Sequence, residues 1–325
     1  MALTVQGEAD GRNERGFQAR VVATSGRDDV ALVHVAQMRG DPARRVEFVD
    51  ALDPRYPRHE KWVVIVSTQF GCPVGCPMCE AGGWFIGNLT ADEVLWQVDR
   101  VVLARHPDGR VPSRKLKVQL ARMGEPALNP SALDALEALA NRYDAPGLIP
   151  CVATVAPAAS AGWFERLREI KRALYPGGRF QLQFSVNTTD EALRDRLMPV
   201  GKWRLADIAR FGEVFFEPGD RKVVLNFALA EDWEVDPGRL SATFDPSRFV
   251  IKLTPLNPTS RARAAHFRSV LSASAPSACD RLAEDLGDRG FECIVSIGTD
   301  EEIAIRSNCG QAVVVGRQTG AARRL

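Results

Sequence analysis

The sequence predicts an α/β protein: a partial (β/α)6 barrel with a small β element before it and a short α/β extension after it. Six short β-rich runs recur from residue 62 onward, at Trp62–Thr68, Lys115–Ala121, Ile149–Val155, Phe180–Val186, Val223–Leu229 and Phe249–Thr254. Between them stand amphipathic segments of helical period, at Ala91–Arg105, Pro130–Asn141, Trp163–Leu174 and Glu191–Arg196. Strands alternating with helices form right-handed parallel βαβ units, and six such units fall short of the eight that close a full barrel.

In chain order, the first dozen residues, rich in Gly, Asp, Asn, Glu and Arg, read as a disordered start. Phe17–Ala23 and Val30–Met38 read as strands around the turn signal Ser25-Gly26-Arg27-Asp28-Asp29, and Arg45–Val49 adds a third. The Pro-rich stretch Asp53-Pro54-Arg55-Tyr56-Pro57 ends this element, so residues 1–60 form one unit and 61–270 the barrel. Thr90 is placed to cap the first barrel helix. Residues 271–325 form the extension, with a helix at Ala278–Leu286, a strand at Phe291–Ile297 and a short strand around Ile303.

The chain has 325 residues, 45% hydrophobic and 26% charged, which is ordinary for a globular protein. A net charge of +1 lacks the electrostatic footprint of a strong nucleic-acid binder. No apolar run approaches the ~18–20 residues that span a bilayer, so no membrane partner is expected. The start lacks the basic and apolar stretches of a signal peptide, and a cytoplasmic address is the expectation.

Three of the seven cysteines fall within Cys72-Pro73-Val74-Gly75-Cys76-Pro77-Met78-Cys79, directly after the first barrel strand. This spacing supplies three thiolates from one compact loop. A [4Fe–4S] cube usually takes four, so three leave one iron open to another ligand. A zinc site would call for a second Cys pair, and the sequence has none.

Functional groups of such barrels gather where strands end. Met123-Gly124-Glu125-Pro126 follows the second strand, where Gly124 permits close backbone approach and Glu125 offers a carboxylate. The fourth strand ends at Ser185-Val186-Asn187, and the sixth runs into Leu256-Asn257-Pro258. Cys309 stands alone in the tail, where a lone cysteine is more often a small buried hydrophobe than a nucleophile.

These segments resemble the RlmN/Cfr class (class A) of radical S-adenosylmethionine (SAM) methyltransferases, which methylate adenosine in ribosomal RNA. The resemblance covers roughly residues 45 to 316. It is carried by Ser67-Thr68-Gln69-Phe70-Gly71-Cys72, Asn88-Leu89-Thr90-Ala91-Asp92-Glu93-Val94, Met123 through Asn129, Asp190 through Pro199, Leu256-Asn257-Pro258 and Cys309-Gly310-Gln311. It implies a radical SAM barrel in which Cys72, Cys76 and Cys79 hold the [4Fe–4S] cluster, with SAM on the open iron. Gly124, Glu125, Ser185, Asn187 and Asn257 would contact SAM, and Thr154 would keep part of a further SAM contact. One SAM would methylate Cys309. A second, cleaved by one electron from a donor such as flavodoxin or ferredoxin, would yield the radical that activates the S-methyl group for addition to an sp2 carbon. Glu47 aligns with a carboxylate assigned to proton transfer; read without the resemblance, it is equally a surface Glu on an edge strand.

Three departures bear on the substrate. Where the family carries a resolving cysteine, seven residues before Cys72, this chain has Ile65, with Cys151, Cys279 and Cys293 as the remaining thiols. The family's helical RNA-binding region has no counterpart ahead of the β element. The family's Ser-x-His is Ser185-Val186-Asn187 here, and its Ser/Thr-rich turn is Ala153-Thr154-Val155-Ala156. The expectation is a class-A-like C-methyltransferase acting on a small molecule or peptide rather than ordinary ribosomal RNA. Two alternatives stand beside it: RNA methylation, and direct attack of the deoxyadenosyl radical on a substrate without methyl transfer.

Overall fold

A single ten-stranded sheet runs through the computed structural model, which describes residues 17–272, 274–298, 305, 312 and 313. β1 (Ala19–Arg27), β2 (Ala31–Met38) and β3 (Arg45–Leu52) form an antiparallel meander, and β3 pairs antiparallel with β4 (Trp62–Val66). A separate ribbon of β5 (Gln69–Gly71) and β6 (Phe85–Asn88) brackets the cysteine loop. From β4 the main sheet continues in parallel through β7 (Leu116–Leu120), β8 (Leu148–Thr154), β9 (Gln181–Ser185), β10 (Val223–Leu229) and β11 (Phe249–Pro255). These are the six barrel strands read from the sequence. β12 (Glu292–Val295) extends the parallel set by pairing with β11, within the strand expected at Phe291–Ile297.

The helices are α1 (Ala91–Arg105), α2 (Ser131–Leu139), α3 (Ala161–Leu174), α4 (Glu191–Leu197), α5 (Leu205–Phe215), α6 (Pro237–Thr243), α7 (Ser260–Ala264) and α8 (Asp280–Gly287). Thr90 caps α1 through a reciprocal box: its side chain accepts from Glu93 N at 3.2 Å, and Glu93 Oε2 accepts from Thr90 N at 2.9 Å. None of the helices among the described residues is long and apolar enough to cross a membrane.

Strand alternation divides the sheet into two unlike faces. Val64, Val118, Val152, Phe184, Leu225 and Ile251 are buried with the helix residues Val98, Leu136, Phe164 and Phe211 in the main core. Each such apolar side chain contributes roughly 1.5–3 kcal/mol by leaving water. Residues of the opposite parity line the barrel's inner wall, and there the composition turns small or polar: Ala121, Ala153, Ser185, Asn226 and Thr254. The sheet spends its hydrophobicity on the helix side and leaves a chemically usable lumen.

The meander continues this sheet. Asp50 of β3, buried, accepts from Trp62 Nε1 of β4 at 2.6 Å, from Arg58 Nη1 at 2.6 Å and from Arg105 Nε at the end of α1 at 2.7 Å. One carboxylate thus joins three elements. The expected disordered start, the strand around Ile303 and Cys309 lie outside the described residues.

Candidate active site at the barrel mouth

Cys72, Cys76 and Cys79 are half-buried and line one wall of an open cavity of about 280 Å³ at the C-terminal ends of the barrel strands. The backbone that presents them is tightly constrained. Gly71 has φ +82°, and a Cβ there would stand 2.0 Å from the Trp84 carbonyl oxygen, so only glycine fits. Cys72 N donates to that same carbonyl at 2.9 Å. On its far side the loop is held by the segment after β11. Thr259 Oγ1 donates to Met78 O at 2.8 Å, while Ser260 N and Oγ donate to the buried Glu80 at 2.5 and 2.6 Å. This clamp from Thr259 onto Met78 and from Ser260 onto Glu80 was not foreseen, because contacts separated by 180 residues or more leave no local signature.

Gly124 and Glu125 stand on the opposite wall. Gly124 has φ +101°, and a Cβ there would lie 2.6 Å from Gln69 Cβ. Gln69 Oε1 in turn accepts from Glu125 N at 2.8 Å, so the β5 strand sets the rim. The Glu125 carboxylate is buried and held from three directions, by Thr154 Oγ1 at 2.5 Å, Val155 N at 2.9 Å and Ala127 N at 3.0 Å. Burial nevertheless pushes its carboxyl up to about 7, against the pull of these donors. Thr154 stands behind Glu125 rather than on the cavity wall, so it orients the carboxylate.

Ser185, Asn187 and Asn257 all line the cavity, as their strand-end positions suggested. Asn187 sits at φ +66°, with its Oδ1 accepting from Ala228 N at 3.3 Å. Asn226 and Met198 also line it and were not anticipated. Asn226 lies inside β10, and only the parity of the assembled sheet reveals that it points inward. Met198 belongs to the Asp190–Pro199 landmark, which carried no site assignment.

Glu47 corrects an expectation. It is fully buried, on a strand flanked on both sides by partners, so the surface-Glu reading fails. Its Oε1 lies 2.7 Å from Arg122 Nε, and its Oε2 accepts from Ala312 N at 2.9 Å and Val313 N at 3.3 Å. Desolvation raises its ionisation point above the ordinary Glu value, although Arg122 and the two amides act to lower it. Ile305 packs with Ala31, Val33, Val49 and Ala51, against which Val63 and Ile65 also lie. Ile65, where the resemblance places a second thiol, therefore stands on the inner wall beside two described tail residues, Ile305 and Ala312. Cys151 shares that wall, in register with Gln119, which pairs with Ile65. Cys279 and Cys293 instead pack in the helix-side core.

The donor set fits an iron–sulfur cube. Burial, then the neighbouring Cys79, holds the Cys72 thiol well above its usual value and pushes Cys76 up to about 12. Thiols so placed give up their protons only to a strongly positive partner, as iron provides. Three thiols on one loop suit a cube, whose thiolates each take a different iron.

No protein-family model matches the chain. Its fold is that of a radical SAM methyltransferase from Sphaerobacter thermophilus, with a TM-score of 0.69 and 22% identity over 90% of this chain and 80% of that one. Fold and three-cysteine loop together define the radical SAM class. In sequence, the probable dual-specificity RNA methyltransferase RlmN of Parafrankia sp. is 31% identical over 278 residues, 81% of this chain and 68% of that protein. The protein of the same name from Frankia alni is 30% identical over 280 residues, 83% of this chain and 62% of its own length. The chain belongs to the RlmN-like family of radical SAM methyltransferases, whose cofactors are a [4Fe–4S] cluster and SAM. It spans 62% of the length of the Frankia alni relative and 59% of that of the protein of the same name from Frankia casuarinae.

Proposed function

We propose that this chain is a C-methyltransferase that carries a methyl-derived carbon on Cys309 and delivers it to an sp2 carbon of a small-molecule or peptide substrate. Cys72, Cys76 and Cys79 would hold the cluster, which when bound supplies the electron that splits SAM. Glu125, ionised, would receive the SAM ammonium, with Gly124 allowing close approach and Ser185, Asn187 and Asn257 contacting the remainder of SAM. A donor such as flavodoxin or ferredoxin would reduce the site.

The observation that carries this reading is the anchoring of the tail at two points beside the lumen. Glu47 accepts the amides of Ala312 and Val313, and Ile305 seats against the inner faces of β2 and β3. Cys309 falls between Ile305 and Ala312 in the sequence, which supports this reading. With Oε2 holding the two tail amides and Oε1 facing Arg122, its first task is to hold the tail. The near-neutral net charge and Ile65 favour a substrate other than ribosomal RNA.

Protein made with methyl-labelled SAM should carry one labelled methyl on Cys309 by mass spectrometry. Turnover with Cys309 unmodified would end this reading. RNA remains a second reading because the sequence relatives are named as RNA methyltransferases. It requires RNA affinity that falls steeply with salt, and absence of binding even at low salt would exclude it.

A further inference from the structure

Lys117 of β7 and Lys252 of β11 are half-buried on the inner wall of the barrel. Lys252 pairs in register with Asn226, a wall residue of the cavity, and Thr254 two positions further on lines the same cavity. Lys117 pairs with Val63 and Ile149, deeper along the same face. Among the described residues neither ammonium has a carboxylate within ion-pairing distance, whereas the buried lysine of the helix side, Lys171, has two: Glu217 at 2.7 Å and Asp220 at 2.5 Å. Cys151 opposes this charge only in part, since its Sγ donates to Ile149 O at 3.5 Å and burial holds the thiol above its usual value. Two cations facing one lumen without a counter-charge are costly unless a ligand supplies it.

We infer that Lys117 and Lys252 form an anion site in the lower barrel lumen that holds the carboxylate or phosphate of a small substrate. The inference rests on the methyl-transfer reading and narrows its substrate class. Four residues separate Lys117 from Ala121 on the cavity wall, about 13 Å along a strand. The ligand is therefore an elongated molecule, with its anionic head toward the lysines and its reacting carbon toward the cysteine loop. Gln119 and Gln183 on the same wall offer neutral hydrogen bonds along the way. The ionisation of the two lysines agrees with unpaired cations. Cys151 acts to raise Lys117, but burial and the cations Lys61, Arg221 and Lys115 outweigh it. Lys252 is lowered by burial and by Lys117. In their unprotonated form both amines can be acylated.

That reactivity provides the test. The full chain, reconstituted with its cluster, is acetylated at constant ionic strength by an amine-reactive ester, and each lysine is followed by peptide mass spectrometry with inorganic phosphate or succinate present. A site of ~1 mM affinity is about nine-tenths occupied at ~10 mM anion, slowing acetylation of Lys117 and Lys252 about tenfold. Lys115 and Lys222 should be unaffected. The anion that protects identifies the head group. Lys252→Gln should abolish protection at Lys117, and Lys252→Arg should retain it. No protection by either anion, or equal slowing at all four lysines, would overturn the inference. Turnover plays no part in this readout. Unprotected lysines beside a methylated Cys309 would remove only the anion site, and protected lysines beside an unmodified Cys309 would remove only the methyl-transfer reading.

Discussion

Replacing Glu47 with Gln should loosen the tail and lower stability together. The wild-type carboxylate is fully buried, and the Arg122 side chain facing it is 2% exposed. The amide that replaces it can still accept one backbone N–H, but it removes the charge that faces the guanidinium. Breaking a buried pair from one side costs about 3–5 kcal/mol. Most of this should return when Arg122→Met is added, since removal of both charges is often nearly neutral, and the double-mutant cycle should show a coupling of about 2 kcal/mol or more. Anaerobic urea denaturation measures the stability, and hydrogen exchange of the Ala312 and Val313 amides reads the tail directly. If Glu47→Gln stays within about 0.5 kcal/mol of wild type with unchanged exchange at these amides, the clamp described here is wrong.

Other outcomes follow from the site. Gly124→Ala must force a Cβ against Gln69 at φ +101°, so it should cost about 2 kcal/mol or more and weaken SAM binding, measured by calorimetry. Glu125 has a folded value of about 7, above the ordinary 4.5, so its contribution to stability is fullest below about pH 4.5 and lost as pH rises to 7. In cluster-free protein this loss should approach ~3 kcal/mol, and Glu125→Gln should flatten the slope. For the same reason SAM, whose ammonium needs the ionised carboxylate, should bind more tightly as pH rises through 7. Asp50→Ala leaves Arg58, Arg105 and the Trp62 indole without their shared acceptor and should cost about 3 kcal/mol in thermal or urea denaturation.

The parts of the molecule that follow from local chemistry were legible. Helix α1 matches its expected bounds because Thr90 and Glu93 form a capping box and His106-Pro107 ends the pattern. The six barrel strands stood out because their helix-facing residues are continuously apolar. The cysteine loop and the strand ends at Gly124, Ser185, Asn187 and Asn257 were legible because metal spacing and strand-end position are local features. Helices α5, α6 and α7 were missed. The first lacks an Asp, Ser, Thr or Asn cap, starting after Arg204, and the other two have only seven and five residues. Glu47 could not be placed, because its burial depends on β2, β4, Arg122 and a tail more than 260 residues away. The same holds for Asn226, Lys117 and Lys252, whose inward direction is a property of the assembled sheet.

The most direct test reconstitutes the protein without oxygen, counts iron and sulfide, and measures deoxyadenosine formed from SAM under reductant. Four irons and four sulfides per chain are expected, with SAM cleavage abolished by Cys72→Ala, Cys76→Ala or Cys79→Ala. Stoichiometric zinc without sulfide, or a full cluster that never cleaves SAM, would contradict the assignment of this cavity.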